Sequence, residues 1–439
     1  MKILANDVKT VLSKNMLADG FDLIQDLASS HGSWIVDHRN GKEYLDMFSM
    51  FASGSVGYNH PTIREHKDEL GEVALLKPTL SDLYNVYFAE FVATFNEVAI
   101  PDYLKHSFFV EGGALAVENA LKTAFDWKVR KNMEAGLGSK LGLQVIHFKQ
   151  AFHGRSGYTL SLTNTTDPRK TMYFPTFDWP RIDNPKLSFP IDDDVLKQVM
   201  EAETKAINQI KSAINDNPND IAALLIEPIQ GEGGDNHFRR EFFAELRQIC
   251  DENEIIFIMD EVQTGMGITG KMWAHEHYGV KPDILSFGKK TQVCGILAGP
   301  RIDEVEKNVF VESSRINSTF GGNLTDMWRF KIILDIIRDE NLVENARIQG
   351  QYIQEQMKGL ETEFPAYVTN SRGAGLFCAF DLPSDTERDE LWGRMMDNGL
   401  LILTCGDKSI RVRPHLNVKR EDIDTTFEII RKSMKECLK

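Results

Sequence analysis

The feature that most constrains this chain is an alternation in its middle third. "HSFFVEGG" is a short β-like run that ends in glycines. "ALAVENALKTAFDWKVRKN" follows it, with Ala114, Val117, Leu121, Ala124 and Phe125 on one helical stripe. "LQVIHFK" (143–149) reads as strand, and "IAALLIEPI" (221–229) as a buried strand. The helical stretch "RREFFAELRQICDENE" (239–254) comes next, then three more strand candidates: "IIFIMDEV" (255–262), "DILSFG" (283–288) and "GILAGP" (295–300). Continuously apolar strands alternating with helices imply a mostly parallel sheet covered on both faces. Ligands of such sheets bind at the carboxyl ends of the strands.

Outside this stretch the texture changes. "SWIVDHRNGKEYLDMF" resembles a meander, and "LTDMWRFKIILDIIRD" is a long helix. A second helix, strands near 374–381 and 400–413, and a last helix from about 420 complete the chain. At 439 residues the chain is too long for one ordinary core. The pattern predicts an α/β domain over 66–325. A smaller α+β domain would combine the N-terminal segment 1–65 with the C-terminal segment 326–439.

Composition excludes several function classes. The formal net charge is −15, so the surface repels phosphate backbones and nucleic acid is not expected as a partner. An anionic substrate must then be held by a few local arginines. The cysteines, Cys250, Cys294, Cys378, Cys405 and Cys437, are dispersed and lack metal-site spacing, which suits a reducing cytosol. No apolar run reaches membrane-span length, and the N-terminus lacks a continuous apolar core, so a cytoplasmic protein is expected.

Four features fall at predicted strand ends. Asp260 ends the run Ile255–Met259, where a carboxylate is costly to bury unless paired. The adjacent Lys289 and Lys290 follow "ILSFG"; by themselves they read most simply as a solvated turn. "EGGALAVEN" sets glycines before a helix start, whose free N–H groups suit a phosphate. "AFHGRSG" brings an aromatic, a histidine and an arginine after a strand. Each alone is ordinary. Together they match the needs of pyridoxal 5′-phosphate: a lysine for the aldehyde, a carboxylate for the ring nitrogen, an aromatic for the ring face and N–H groups for the phosphate.

The motifs carry the point further. "FIMDEVQTGMGITG" followed by "PDILSFGKK" resembles the signature of the class III pyridoxal-phosphate aminotransferases. The resemblance runs from "GYNHP" (57–61) through "EPIQGEGG" (227–234) to "IRVRPHL" (410–416). "EGGALAVENALKTAFDWK", "GKKTQVCG" and "NSTFGGNLTDM" are most similar to the L-lysine 6-aminotransferase branch. The resemblance implies fold type I, with a seven-stranded-type sheet in the large domain, and a homodimer with shared sites. It also implies transfer of the ε-amino group of L-lysine to 2-oxoglutarate, giving glutamate and 2-aminoadipate 6-semialdehyde.

Residue roles follow from the same resemblance. The reactive lysine directly follows a small residue, here Gly288, which selects Lys289 over Lys290. Gly113 and Ala114 would present N–H groups to the phosphate. Phe152 and Val262 would flank the ring, Asp260 would pair with its nitrogen, and Gln263 would lie near its phenolic oxygen. Thr319 would reach the phosphate of the neighbouring subunit. Arg155 would hold the distant carboxylate of lysine, Arg411 would bind an α-carboxylate, and Glu232 would gate Arg411. The flanking Gly231, Gly233 and Gly234 are expected to make the gate loop permissive.

The sequence departs from the wider class at Ile268, at Ala114 in place of a hydroxyl residue, and at "KKTQVCG". These departures weaken ornithine or 4-aminobutyrate as donors more than they weaken the cofactor assignment. Another ω-aminotransferase is the nearest rival reading. A non-enzymatic cofactor-binding regulator would need a basic helical appendage, which is not visible. A dinucleotide-binding dehydrogenase would need a GxGxxG after its first strand, which is lacking.

Overall fold

Ile221–Ile226 is buried at every position, as is Ile256–Asp260 beside it. Such strands must be covered on both sides, and the computed structural model, which describes residues 3–76 and 82–438, shows how. The strands, in chain order, are β1 (Trp34–Val36), β2 (Glu43–Asp46), β3 (His106–Val110), β4 (Gln144–Phe148), β5 (Arg181–Ile182), β6 (Ile221–Ile226), β7 (Ile256–Asp260), β8 (Ile284–Phe287), β9 (Cys294–Ala298), β10 (Thr369–Ala374), β11 (Phe377–Asp381), β12 (Leu400–Leu401), β13 (Leu403–Cys405) and β14 (Ser409–Val412).

A seven-stranded sheet runs in the order β3-β9-β8-β7-β6-β4-β5. Its members β5, β4, β6, β7 and β8 pair in parallel. Side-chain alternation divides them between two cores. Leu224, Ile226, Phe257 and Met259 pack with Phe242 and Leu246 of the helix Arg240–Glu252 and with Ile207 and Ile210 of the helix Asp193–Asp216. Ala223, Leu225, Ile256 and Ile258 pack with Val117, Leu121, Ala124 and Trp127 of the helix Gly113–Glu134.

β9 runs antiparallel to β8, and β3 antiparallel to β9. The reason is the length of the connection. Only residues 288–293 separate β8 from β9, too few for the crossover that a parallel neighbour requires. The two lysines therefore sit in a tight turn between two buried strands.

Two smaller sheets complete the architecture. One, of order β1-β2-β12, joins the two ends of the chain through the parallel pairing of Leu400 and Leu401 with Leu45 and Asp46. The other has order β10-β11-β14-β13 and carries Arg411. The long helix Leu324–Asp339 packs Phe330, Ile333 and Ile337 into the largest core, together with Phe91 and Phe95 of the helix Val86–Val98. Among the described residues no helix is long and apolar enough to cross a membrane.

Gly350 shows how the helix Leu342–Glu363 meets the turn between β10 and β11. A glycine inside a helix is unfavourable unless something requires it. Here a Cβ at Gly350 would lie 2.1 Å from the carbonyl carbon of Gly375, which itself has φ +52° and is wedged against Thr269. We expect Gly350→Ala to cost about 1–3 kcal/mol through overpacking, in spite of the better helix propensity of alanine. Chemical denaturation would register this as a lower midpoint; an unchanged or higher midpoint would refute the close approach.

Candidate active site

The carboxyl ends of three adjacent strands each deliver a charged residue. Glu227 follows β6, Asp260 ends β7, and Lys289 follows Gly288 after β8. Neighbouring strands lie about 4.8 Å apart, so the topology itself gathers these groups. They line one cavity of about 640 Å³, with Gly113, Ala114, Phe152, Val262, Gln263 and Glu232 also in its wall. That volume suits a small-molecule site.

Asp260 is 5% exposed and well satisfied. Its Oδ2 accepts from His153 Nδ1 at 2.8 Å, and its Oδ1 accepts from the Val262 amide at 3.1 Å and from Ser286 Oγ at 3.2 Å. Among the described residues the far nitrogen of His153, Nε2, is buried with no partner. Glu227 is a second buried carboxylate. Its Oε1 accepts from the Phe152 amide and its Oε2 from the Gly231 amide, both at 3.0 Å, so it ties the aromatic wall to the loop that carries Glu232. Burial, aided by the negative charge of Asp260, pushes the Glu227 carboxyl up to about 7, against the opposing influence of His153.

The two lysines have opposite environments. Lys289 lines the cavity with φ +53°, a strained left-handed conformation for a residue with a Cβ. Burial holds its amine below the ordinary lysine range; Asp260 draws it upward and Arg411 pushes it further down. Lys290 is 1% exposed and points away from the cavity. Its Nζ donates to the carbonyls of Ala52 at 3.1 Å and Gly54 at 2.9 Å. Those carbonyls belong to an unusual support: Ser49, Met50, Phe51 and Ala52 all have positive φ, from +41° to +66°. The pair is therefore no solvated turn. One lysine faces the cavity and the other is a buried strut.

Another part of the cavity wall is the start of the helix Gly113–Glu134. Gly112 has φ +102°, and no side chain caps the helix. The first amides of a helix have no intrahelical acceptor, so this end offers donors to an anion. A Cβ on Gly113 would lie 2.8 Å from Val262 Cγ1, so a larger residue would fill the space beside it. Among the described residues Gln263 Oε1 is buried without a partner. A cavity lined by Phe152 and Val262, a buried carboxylate, an uncapped helix start, an orphaned polar atom and Lys289 fits pyridoxal phosphate as the sequence implied.

Arg411 lies behind the cavity on β14 and is 4% exposed. Its Nη2 is 3.4 Å from Glu232 Oε2, and its Nε and Nη1 are buried without partners among the described residues. The loop around Glu232 is not permissive. Gly406 N donates to Glu232 O at 2.9 Å, and Arg372 donates to the carbonyls of Gly234 and Asp235. Gly231 and Gly233 have negative φ; a Cβ would meet Gln263 Oε1 at 2.2 Å and the Gln150 carbonyl oxygen at 2.1 Å respectively. Those glycines serve close approach, and of the set only Gly234, at φ +122°, needs the left-handed region.

Arg155 and Thr319 are exposed and stand outside the wall of the cavity in their own chain. The cavity also includes Ser53, His153, Glu227 and Gln292, to which the sequence reading assigned no role. Glu227 carries the same signal as Asp260, a carboxylate closing a fully apolar strand.

Comparison with known proteins gives a consistent picture. The family model for aminotransferase class-III matches residues 20–434. An L-lysine-epsilon aminotransferase of Mycobacterium tuberculosis is 50% identical over 430 residues, covering 97% of this chain and 95% of the relative. The enzyme of the same name from Streptomyces clavuligerus is 46% identical over 434 residues, covering 98% and 94%. The solved lysine aminotransferase from M. tuberculosis superposes with a TM-score of 0.97 at 49% identity, covering 99% of this chain and all of that one.

Lys290 generates a prediction that does not depend on activity. Its folded pKa is depressed, chiefly by burial, from 10.5 to about 7. Between those values the unfolded chain binds the extra proton, so this residue makes stability rise with pH through the window. Unfolding measured from pH 7 to pH 10.5 should show that rise in the natural protein and less of it in Lys290→Met. Parallel pH dependences in the two would overturn this assignment.

Proposed function

The chain belongs to the class III aminotransferases, and on that premise we propose that Lys289, Asp260, Glu232 and Arg411 run the transfer of an amino group between two differently shaped substrates. The protein is a pyridoxal-phosphate-dependent transaminase. It moves the ε-amino group of L-lysine to 2-oxoglutarate, giving L-glutamate and 2-aminoadipate 6-semialdehyde. The observation that carries this reading is the single cavity shared by Lys289, Asp260 and the uncapped helix start, with Arg411 held behind it by Glu232.

The cofactor, when bound, supplies an electron sink that eases removal of a proton from the substrate carbon. The protein does the rest. Lys289 takes and returns that proton, which requires an unprotonated amine, and its depressed pKa favours that form. Asp260, fixed by His153, Ser286 and the Val262 amide, would hold the proton on the ring nitrogen. Gly113 and Ala114 would hold the phosphate through their amides, Phe152 and Val262 would confine the ring, and Gln263 would offer its amide to the phenolic oxygen.

Arg411 and Glu232 resolve a conflict between the substrates. Lysine presents its ε-amine with no carboxylate beside the reacting carbon, which would leave a buried guanidinium unpaired. Glutamate presents a carboxylate there, able to form paired hydrogen bonds with the arginine. We read Glu232 as the movable counter-ion that covers Arg411 for the first and leaves for the second. The surrounding backbone is pinned, so the motion belongs to the side chain.

A homodimer is part of the proposal. Leu75, Leu76, Leu83, Tyr84 and Val86 are each 68% exposed or more, a concentration of apolar surface that favours burial against another chain. The exposed Thr319 would then reach the partner's phosphate site, and Arg155 would meet the distant carboxylate of lysine. We place the catalytic unit in residues 66–325, completed by 1–65 and 326–439. A cytoplasmic setting accords with the unpaired state of all the cysteines.

The direct test incubates the purified protein with lysine and 2-oxoglutarate and identifies the products, with ornithine and 4-aminobutyrate as competing donors. Formation of the semialdehyde, with lysine the fastest donor, is expected; a faster reaction with either competitor would reassign the substrate. Lys289→Ala should lose both turnover and the visible absorbance of bound cofactor, whereas Lys290→Met should keep the absorbance. For the gate, each half-reaction is measured in a single turnover with one donor. Glu232→Ala should slow the lysine half-reaction more than the glutamate half-reaction. Arg411→Ala should slow the glutamate half-reaction by roughly thirtyfold or more, the cost of stripping one partner from a buried charge pair. Equal losses in both halves for Glu232→Ala would sink the gate.

A further inference from the structure

Glu232 has a second cation, and it is nearer than the first. Lys170 Nζ lies 2.6 Å from Glu232 Oε1, while Arg411 reaches Oε2 only at 3.4 Å. Lys170 closes the short turn Pro168–Lys170, whose start is capped by Asp167 accepting from the Arg169 amide. Its ammonium is also 6.0 Å from the centre of the Phe152 ring. The side chains of Lys170 and Glu232 are 23% and 29% exposed, so the pair is partly shielded from solvent.

Charge counting shows what this arrangement does. Lys170, Glu232 and Arg411 carry +1, −1 and +1, a net +1. An incoming α-carboxylate brings the array to zero. Without Lys170 the remaining pair is already neutral, and the same carboxylate would add an uncompensated negative charge beside Glu232. The open Nε and Nη1 of Arg411 agree with this: its best donors are left for a ligand while Glu232 leans toward the lysine.

We propose that Lys170 is a specificity-determining residue that holds Glu232 when it leaves Arg411 and so favours the substrate that brings its own carboxylate. This rests on the reading of Glu232 as a gate. It adds a named resting place for the gate and predicts that the balance between the half-reactions is set by a residue outside the cavity wall.

The test uses the holoenzyme, with single-turnover rates measured separately with glutamate and with lysine. In Lys170→Met the glutamate concentration for half-maximal rate should rise about fivefold, as expected for loss of one partly exposed ion pair, while the lysine half-reaction changes by less than about twofold. Lys170→Gln should behave the same way, and Lys170→Arg should restore glutamate binding. In a Glu232→Ala background, Lys170→Met should have no further effect on glutamate. Equal changes in both half-reactions, or a glutamate defect that persists without Glu232, would overturn the proposal. If Glu232→Ala alone slows both halves equally, it is the gate that fails, and the role of Lys170 falls with it. If instead Glu232→Ala behaves as a gate while Lys170→Met leaves glutamate unaffected, only the present proposal is lost.

Discussion

Everything at the site follows from burying β6, β7 and β8 on both faces. A strand with no solvent-facing side cannot carry charge along its length, because an unpaired buried charge costs several kcal/mol. Charge is displaced to where the strand stops. Three neighbouring parallel strands stop at one edge, so Glu227, Asp260 and Lys289 arrive together. Each group then sets the conditions of the others: Asp260 raises the proton affinity of both Glu227 and Lys289, while burial raises that of the acid and lowers that of the amine.

The same edge divides rigid parts from movable ones. Glu227 spans from the Phe152 amide to the Gly231 amide, and Arg372 grips the carbonyls of Gly234 and Asp235. The frame around the cavity is thus crosslinked through main-chain groups. Against it, Glu232 has one carboxylate and two cations, and a change of partner needs only side-chain rotation. A two-substrate enzyme needs two pocket polarities, and in the proposed gate a single side chain between Lys170 and Arg411 would provide both without remodelling the backbone.

Much of this could be read from residue order, and the exceptions have physical causes. The alternation of apolar runs and helical stripes located β3, β4 and β6 to β9 with two of the covering helices, Gly113–Glu134 and Arg240–Glu252; the helix Asp193–Asp216, which also packs on the sheet, was not among the elements read. The direction of β9 depended on connection length rather than on composition. Gly113, Phe152, Asp260 and Lys289 stand at or just after strand ends and line one cavity, but position alone left each ordinary, and it was the family resemblance that singled out Lys289 over Lys290. Glu227 punctuates one too, yet a lone carboxylate there is also what an ordinary cap looks like. Lys290 was hidden for a different reason. Nothing in "GKK" tells which ammonium is solvated, and its acceptors, the carbonyls of Ala52 and Gly54, lie more than two hundred residues earlier, beside a left-handed run, Ser49–Ala52, that contains no glycine. Arg155 and Thr319, named only by the resemblance, are exposed and lie outside the cavity wall of their own chain.

The glycines of "QGEGG" have one more consequence, for anyone seeking to redesign the pocket. A Cβ on Gly233 would run into the Gln150 backbone carbonyl, which closes that position sterically, and a Cβ on Gly231 would have to push the Gln263 amide out of its place in the cavity wall. Between them, Glu232 reaches into both the cavity and the cleft beside Lys170. The segment offers a combinatorial library one free letter. Diversity aimed at new amino acceptors is better spent on that letter together with the distant position 170 than on the contiguous stretch a primer would most easily randomise.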